Sequence, residues 1–240
     1  MSHAHTFDAI VLATHDIGEA DRFCILFTRE RGKIAARARG VRKTGSRMGG
    51  SLLPLKPIQV SLTETKNGYL ITGAHLEQHI EEGNLSVKSF LQAAQAVELL
   101  LSVLQDGEPL PEIFETLVEF LRELPRETGS PLLTFMLRCL HHLGLLPEAT
   151  STAFRTLGKN ERSFMERTMR GEWEDLPELS RSEKQRFSAL IAELLSDHIG
   201  RPLRAGLVTA AVLQPEGAPL SAKRQPPRLR DSHSPVRRSV

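Results

Sequence analysis

Positive charge is concentrated in residues 29–50, which hold eight Lys or Arg side chains and a single Glu, whereas the whole chain has a formal net charge of only +2. Cations at this density are typical of sites that bind phosphate, because each neutralised phosphate of a nucleic acid releases a condensed counterion and so favours binding. The pattern predicts a polyanion-binding site, and its members are Arg29, Arg31, Lys33, Arg37, Arg39, Arg42, Lys43 and Arg47.

The same segment contains no Phe, Tyr or Trp. Proteins that bind single strands often stack bases on aromatic side chains, so residues 29–50 predict contact with the phosphate backbone rather than with bases. A Lys- and Arg-rich strand can also be a solvated edge that resists aggregation. The number of cations in a chain close to neutrality favours the binding site over the solvated edge.

Enzymatic chemistry has little support in the sequence. There is no phosphate-binding GxxxxGK[ST] loop, no GxSxG elbow and no HExxH pair. Cys139, His141 and His142 are close in sequence, but neighbouring residues of a helix point apart, so they predict neither a metal site nor a catalytic cluster. Cys24 is the other cysteine, and both are expected to be reduced core thiols. We expect a protein that is not an enzyme and uses no cofactor or metal.

The elements that must position the cations are short strands. Five segments are rich in apolar and β-forming residues and are separated by turn residues, with Asn67-Gly68 as a strong hairpin signal. Five strands in about 70 residues favour the small oligonucleotide-binding (OB) barrel, although a small sandwich or an SH3-like barrel has a similar pattern. The predicted strands are residues 7–13, 21–28, 33–41, 57–65 and 69–77.

Alternation in the third predicted strand gives the charge a direction, because residues two apart share a face. Lys33, Arg37 and Arg39 are expected to point outward. The inward residues would be small and apolar, as a narrow barrel wall requires: Ile34, Ala36 and Ala38. Arg42, Lys43 and Arg47 then continue the charge into a loop that contains Gly and Ser.

Beyond residue 85 the apolar period becomes helical. Helices are predicted from Pro111 to before Pro125, from Ser130 to Gly144 and from the Ser180-x-x-Glu183 capping box to residue 200, with a short one at 161–169. The helix after Ser130 is apolar on most sides and should be central. The preceding, first helix has an apolar face formed by Phe90, Leu91, Ala94, Val97, Leu100, Leu101 and Leu104.

These patterns predict a mixed α+β chain with a barrel in residues 1–80 and a helical domain in 81–213. The first part holds 11 basic and 7 acidic residues and the second 14 and 20, which suggests different partners. Residues 214–240 are basic and Pro-rich, and we expect them to be disordered. No signal peptide or membrane span is expected, so the chain is predicted to be cytoplasmic and not membrane-bound.

Residues 18–55 also carry an ordered series of motifs: a Gly-Glu-x-Asp turn, a strand ending Leu-Phe-Thr, a Gly-Lys strand start, a basic strand reaching Gly, and a Gly-Gly-x-Leu-x-Pro loop. This series resembles the N-terminal signature of the bacterial RecO family of DNA-repair proteins. Two later stretches, LRCLHHLGLLPE and HIGRPLRA, resemble its central helix and closing motif. The N-terminal motif residues are Gly18, Glu19, Asp21, Leu26, Phe27, Thr28, Gly32, Lys33, Arg39, Gly40, Gly49, Gly50, Leu52 and Pro54.

The resemblance implies an OB-fold domain followed by a helical domain, in agreement with the patterns above. It further implies a recombination mediator that binds single- and double-stranded DNA and anneals complementary strands. With RecR, such a mediator helps RecA load onto single-stranded DNA coated by the single-stranded DNA-binding protein SSB, whose C-terminal tail contacts the helical domain. On this interpretation the chain is associated with the nucleoid.

One departure from the family concerns zinc. Many members have a four-cysteine zinc site after the Leu-Gly-x-x-Pro turn, but the corresponding stretch here, PEATSTAFRTLGKNERSF, contains no Cys. A structural zinc ion needs typically four nitrogen or sulfur ligands, so we expect none. Other packing must hold residues 147–180.

Two other functions fit parts of the sequence. An OB-fold RNA-binding factor associated with ribosomes would use the same basic strand. A protein–protein scaffold would use the acidic helical domain, and the basic strand would then dock an acidic partner. The motif series favours the DNA-repair interpretation over both.

Overall fold

The computed structural model describes residues 4–76, 86–126, 129–146 and 156–199. In this part of the chain, five strands precede five α-helices. The strands are β1 (Ala4–Ile17), β2 (Asp21–Thr28), β3 (Gly32–Ala38), β4 (Pro57–Thr65) and β5 (Gly68–Leu76). The helices are α1 (Val87–Val103), α2 (Pro111–Glu123), α3 (Pro131–His142), α4 (Lys159–Met169) and α5 (Arg181–Ile199), with a 3-10 turn at Leu124–Arg126.

The strands form a closed barrel in the order β1-β2-β3-β5-β4, in which β3 and β5 run parallel and the other pairs are antiparallel. This is the five-stranded arrangement of OB folds, so the predicted fold class is confirmed. The Asn67-Gly68 hairpin between β4 and β5 is also confirmed, and Gly68, the first residue of β5, has a φ of +101°. The third strand ends at Ala38 and not at residue 41.

Alternation in β3 matches the prediction. Ile34, Ala36 and Ala38 are buried in the barrel core, whereas Ala35 and Arg37 between them are exposed. Small residues allow the narrow wall to close, since Cys24 and Leu26 of β2 fill the same interior. The side chain of Arg37 is therefore directed away from the core by the backbone register.

Helix α3 is the centre of the helical region, as predicted from its apolar surface. Every residue from Pro131 to Leu140 is buried. The capping box predicted at the last helix is present, because the Ser180 backbone N–H donates to Glu183 at 2.7 Å and the Glu183 N–H donates to Ser180 Oγ at 3.3 Å. The short helix predicted at 161–169 begins slightly earlier, at Lys159.

The predicted apolar face of α1 is wrong at Phe90 and Ala94, which are exposed, Phe90 at 56%. The buried stripe runs instead through Ser89, Ala93, Ala96 and Leu100. Ser89 takes the inward position because its Oγ donates to the Leu124 carbonyl at 3.0 Å. Residues one position apart differ by about 100° around a helix, so Phe90 lies outside the stripe.

Part of the barrel joins the apolar core of the helices, while the barrel interior forms a second buried cluster. Ile10, Leu12 and Phe27 of the barrel belong to the same buried cluster as the helical side chains. The Phe27 and Phe114 rings meet edge to face, with centroids 5.7 Å apart. This packing orients the start of β3 toward α2 and the residues that precede it.

The described residues after α3 are held by a buried arginine. Arg138, with a side chain 6% exposed, donates to the carbonyl oxygens of Thr168 and Glu172, both at 3.0 Å, and pairs with Glu119 at 2.8 Å. Its guanidinium also lies 4.4 Å from the Trp173 ring centroid. Residues 156–176 thus pack on α3 through hydrogen bonds and aromatic contact. Residues 147–155, part of the segment where zinc cysteines are missing, lie outside the described residues.

None of the described helices is both long enough and apolar enough to cross a membrane. The tail predicted to be disordered, residues 214–240, lies outside the described residues.

Candidate nucleic-acid interface

The path of β3 separates the eight predicted cations into two groups. Arg29, Arg31 and Lys33 precede or begin the strand and form the proximal group, next to the helices. Five cations end the strand or follow it and form the distal group: Arg37, Arg39, Arg42, Lys43 and Arg47. At about 3.3 Å per residue, the Cα atoms of Lys33 and Arg37 are about 13 Å apart. The sequence placed all eight on one surface, but the structure does not bring them together.

Arg29 is engaged with the helical region. Its guanidinium forms ion pairs with Asp8, at 3.6 Å, and with Glu115 of α2. The same group lies 5.3 Å from the centroid of the Phe114 ring. These contacts fix the side chain between barrel and helix, so a phosphate would have to displace two carboxylates to reach it.

Lys33 is also tied to the helical region. Its Nζ lies 3.2 Å from Asp106, and only 16% of its side chain is exposed. The Lys33 carbonyl accepts a hydrogen bond from the Gly107 N–H at 2.8 Å. Arg31 differs, because it is exposed and its side chain has no hydrogen-bond or ion-pair partner within the described ranges.

Arg37 of the distal group is held by a single carboxylate, that of Asp21. Both Nε, at 3.0 Å, and Nη2, at 2.6 Å, donate to Oδ2 of Asp21. The other oxygen of Asp21 accepts from the Gly40 N–H at 2.8 Å. This backbone hydrogen bond, with the hydrogen bond and charge of Arg37, lowers the pKa of Asp21 below its ordinary value, and the charge of Arg39 contributes. Asp21 is therefore a firmly ionised carboxylate inside the basic group.

Arg42 and a residue that sequence reasoning missed, Arg22, share a second carboxylate. Arg22 donates to Asp16 at 3.0 Å and to the Leu52 carbonyl at 3.1 Å. Arg42 lies 3.3 Å from Asp16 and donates to the Gly18 carbonyl at 2.9 Å. Asp16 and Arg22 are directly opposed in the β1–β2 pairing, so the hairpin register was the signal that would have identified Arg22.

Three distal cations have no such partner. Arg39, Lys43 and Arg47 are exposed, and across the described ranges their side chains make no hydrogen bond or ion pair. The loop that carries them is nevertheless anchored, because Val41 and Leu52 are buried in the barrel core. A fixed loop that presents unpaired cations loses little conformational entropy when it binds an anion.

The end of the barrel formed by the β1–β2 turn, the end of β3 and the following loop therefore has an excess of positive charge. It carries six cations, counting Arg22 with the distal group, against the carboxylates of Asp16, Glu19 and Asp21. Such a surface attracts phosphate groups and offers them guanidinium donors in bidentate geometry. Within the described ranges, no three His, Cys, Asp or Glu side chains are grouped so that they could hold a metal ion.

Two family models match the chain. The model described as "Recombination protein O N terminal" matches residues 1–79, and the model described as "Recombination protein O C terminal" matches residues 90–156. The first match contains the whole barrel and both groups of cations. The two matches together include the whole barrel and most of the first three helices.

Curated relatives share this similarity. "DNA repair protein RecO" of Myxococcus xanthus (strain DK1622) is 36% identical over 147 residues, which is 60% of either chain. The protein of that name from Geobacter sulfurreducens (strain ATCC 51573 / DSM 12127 / PCA) is 33% identical over 54% of this chain and 53% of the relative. A third, from Cutibacterium acnes (strain DSM 16379 / KPA171202), is 27% identical over 82% of this chain and 95% of the relative. The chain thus spans 60% or less of the length of the first two relatives.

Proposed function

The chain belongs to the RecO family of recombination proteins, and from this premise we propose that it acts in DNA repair by binding DNA at the distal end of its barrel. The observation that carries the proposal is the set of unpaired cations, Arg39, Lys43 and Arg47, on an anchored loop. Relatives named for DNA repair supply the class of polyanion.

Phosphate contact is the expected source of affinity. Arg39, Lys43 and Arg47 would bind phosphates directly, because no carboxylate within the described residues competes for them by hydrogen bond or ion pair. Arg37 and Arg42 keep part of their charge for the ligand, since each is paired through only one carboxylate. Each phosphate contact should add about 0.7–0.9 to the slope of log affinity against log salt.

We propose that this surface binds both single- and double-stranded DNA and promotes annealing of complementary strands. Two strands repel each other through their phosphates, and a shared basic surface lowers that repulsion. Annealing makes and breaks no covalent bond, so it requires neither a catalytic residue nor a cofactor. The protein would then act as a mediator and not as an enzyme.

The family resemblance supports further partners. We propose that the chain works with RecR, contacts the C-terminal tail of SSB, and so helps RecA load onto SSB-coated single strands in the cytoplasm, at the nucleoid. A pull-down with a peptide of the SSB tail tests the second contact directly. Failure to retain the full chain on this peptide would contradict it.

The DNA site is tested by charge reversal with a matched control. Replacing Arg39, Lys43 and Arg47 with Glu should weaken binding of single-stranded and duplex DNA at least about 100-fold and abolish annealing. The control reverses three exposed arginines of the helical region, Arg122, Arg170 and Arg181, which changes the net charge equally. If both variants lose the same affinity, the distal group is not the site.

The choice of DNA over RNA is tested with the same proteins. Fluorescence anisotropy should show tighter binding of single-stranded DNA and duplex DNA than of a structured RNA of equal phosphate number. A clear preference for the structured RNA, with no retention on the SSB-tail peptide, would support the RNA-binding alternative and overturn the proposal.

A further inference from the structure

We propose that Phe23, on the outer surface of β2, stacks on a base of single-stranded DNA while Arg37 beside it contacts the neighbouring phosphate. This inference rests on the proposed DNA-binding function and adds a base contact to it. The residues concerned are Phe23, Arg37 and His15, on three adjacent strands.

The outward-facing residues of β2 differ in how far the helical region covers them. Phe27 is fully buried against Phe114 of α2, and Ile25 is partly buried against the same apolar cluster. Phe23, two residues further along this face, belongs to neither buried cluster and is half-buried at its place in the sheet. The helices therefore cover one end of the outer face and leave the Phe23 end uncovered.

Strand register places Phe23 among polar neighbours. It pairs with His15 of β1 on one side and with Arg37 of β3 on the other. Directly opposed side chains have Cβ atoms about 4.5–5.5 Å apart, and both His15 and Arg37 are exposed. The row presents an aromatic ring between a cation and an imidazole, and within the described residues no aromatic pair or cation–π contact involves Phe23.

The charge of this surface and the partly exposed ring of Phe23 together favour single-stranded nucleic acid as the ligand. A partly exposed aromatic at the margin of a surface with six cations matches single-stranded nucleic acid, whose bases stack on aromatic rings while its backbone follows positive charge. In duplex DNA the bases are already stacked on one another, so their faces are unavailable to Phe23. The prediction of backbone contact alone, drawn from residues 29–50, left out an aromatic that the fold brings in from the neighbouring strand.

The test compares binding of three probes of equal length: a single-stranded oligonucleotide, the same oligonucleotide with abasic sites, and a duplex. The wild-type chain should bind the base-bearing single strand about 5- to 30-fold more tightly than the abasic one. Phe23→Ala should lose this preference and keep its duplex affinity. Phe23→Trp should retain the preference, and a 2-aminopurine base in the probe should be quenched by the wild type but not by Phe23→Ala.

Controls separate stacking from folding and from DNA binding as such. Phe90→Ala removes an exposed Phe of α1 and should leave all three affinities unchanged. Phe23→Leu keeps apolar volume in the sheet but lacks an aromatic face, so it should behave like Phe23→Ala even if the alanine variant is unstable. Equal wild-type affinities for base-bearing and abasic strands would overturn the stacking inference and leave the proposed function standing. Absence of binding to every probe would overturn the proposed function itself.

Discussion

Arg37 donates two hydrogen bonds, at 3.0 and 2.6 Å, to a single carboxylate oxygen of Asp21. The second oxygen of that carboxylate is held by the Gly40 N–H, so the pair links the start of β2 to the turn after β3. Asp21 therefore has two opposite effects. It fixes the direction of Arg37, and its negative charge reduces the attraction of this surface for phosphate.

Removing the charge of Asp21 is expected to increase DNA affinity. Asp21→Asn keeps an oxygen that can accept from Gly40 but leaves the charge of Arg37 uncompensated. At low salt the affinity for single-stranded DNA should rise about two- to tenfold, and the gain should shrink as salt screens the charge. Anisotropy titrations at several salt concentrations measure it. Glu193→Gln, an equal charge change at an exposed position of α5, should have no effect. An unchanged DNA affinity of Asp21→Asn would show that Arg37 does not contact phosphate.

The free energy of unfolding in acid should depend on the same pair, Asp21 and Arg37. The pKa of Asp21 is lowered in the folded chain, chiefly by the Gly40 hydrogen bond and then by Arg37. Its contribution to stability is therefore complete above the unfolded pKa of 3.8 and is lost as pH falls through the lower folded pKa. Urea unfolding of wild type and Asp21→Asn should show a stability difference that is constant at neutral pH and disappears in acid. A difference that stays constant down to pH 2 would contradict the assignment.

Gly32 is expected to be intolerant of any side chain. Its φ is +63°, and a Cβ there would lie 1.8 Å from the carbonyl oxygen of Glu108. Gly32→Ala should therefore lower the free energy of unfolding by about 3 kcal/mol or more, because strain and a backbone clash add. Gly18 is the matched control, since its φ is +55° and nothing lies within 4 Å. Gly18→Ala should cost only about 1–2 kcal/mol, and equal losses would mean that β3 does not approach residue 108 closely.

Local sequence patterns were sufficient for the barrel strands, the capping box and the β3 alternation, because each depends on residues close in the chain. The ion-pair partners of the Lys33 and Arg29 side chains were not predictable in this way. Their carboxylate partners, Asp106 and Glu115, lie more than 70 residues further along. These groups are brought together by the packing of the barrel on the helices, which includes the Phe27–Phe114 contact and the hydrogen bond from the Gly107 N–H to the Lys33 carbonyl.

Two further differences have the same origin. The side chain of Phe90 fits an apolar helical face in sequence, but in the structure α1 turns the neighbouring Ser89 inward, where its Oγ donates to the Leu124 carbonyl. Phe23 lies outside the basic segment in sequence, yet strand pairing sets it beside Arg37. The residue pattern of one helix or strand identifies its apolar and polar faces. It does not determine which other helices or strands pack against those faces.

The division into proximal and distal cations predicts unequal effects of two lysines on DNA binding. Lys43→Ala should weaken binding and lower the salt slope by about 0.7–0.9, the change expected for one lost phosphate contact. Lys33→Ala should change the slope little, because Asp106 already neutralises that side chain. It should instead lower the free energy of unfolding by no more than about 1 kcal/mol, since Asp106 is 88% exposed. The reverse order of salt slopes would place the DNA at the proximal group.

We expect the hydrogen bonds of Arg138 to stabilise the described segment after α3, which is part of the role that a structural zinc ion would have. Its side chain is almost fully buried and binds the carbonyl oxygens of Thr168 and Glu172. Burial lowers the pKa of Arg138 and Glu119 raises it, but a guanidinium remains charged at every pH of interest. Arg138→Ala leaves two carbonyl groups without their donor, so we expect a loss of about 2–4 kcal/mol in the free energy of unfolding.

The single Trp of the chain gives this change a direct signal, because Trp173 lies against the Arg138 guanidinium. In Arg138→Ala the emission of Trp173 should shift to longer wavelength as the indole loses this cover. It should also become easier to quench with iodide at denaturant concentrations well below global unfolding. Arg170→Ala, which removes an exposed arginine from the end of α4, should leave emission and stability unchanged. Because the hydrogen bonds and ring contact of Arg138 all join residues of the helical region, DNA affinity measured below the unfolding transition should be that of the wild type. A parallel loss of DNA binding would show that the helical segment contributes to the site.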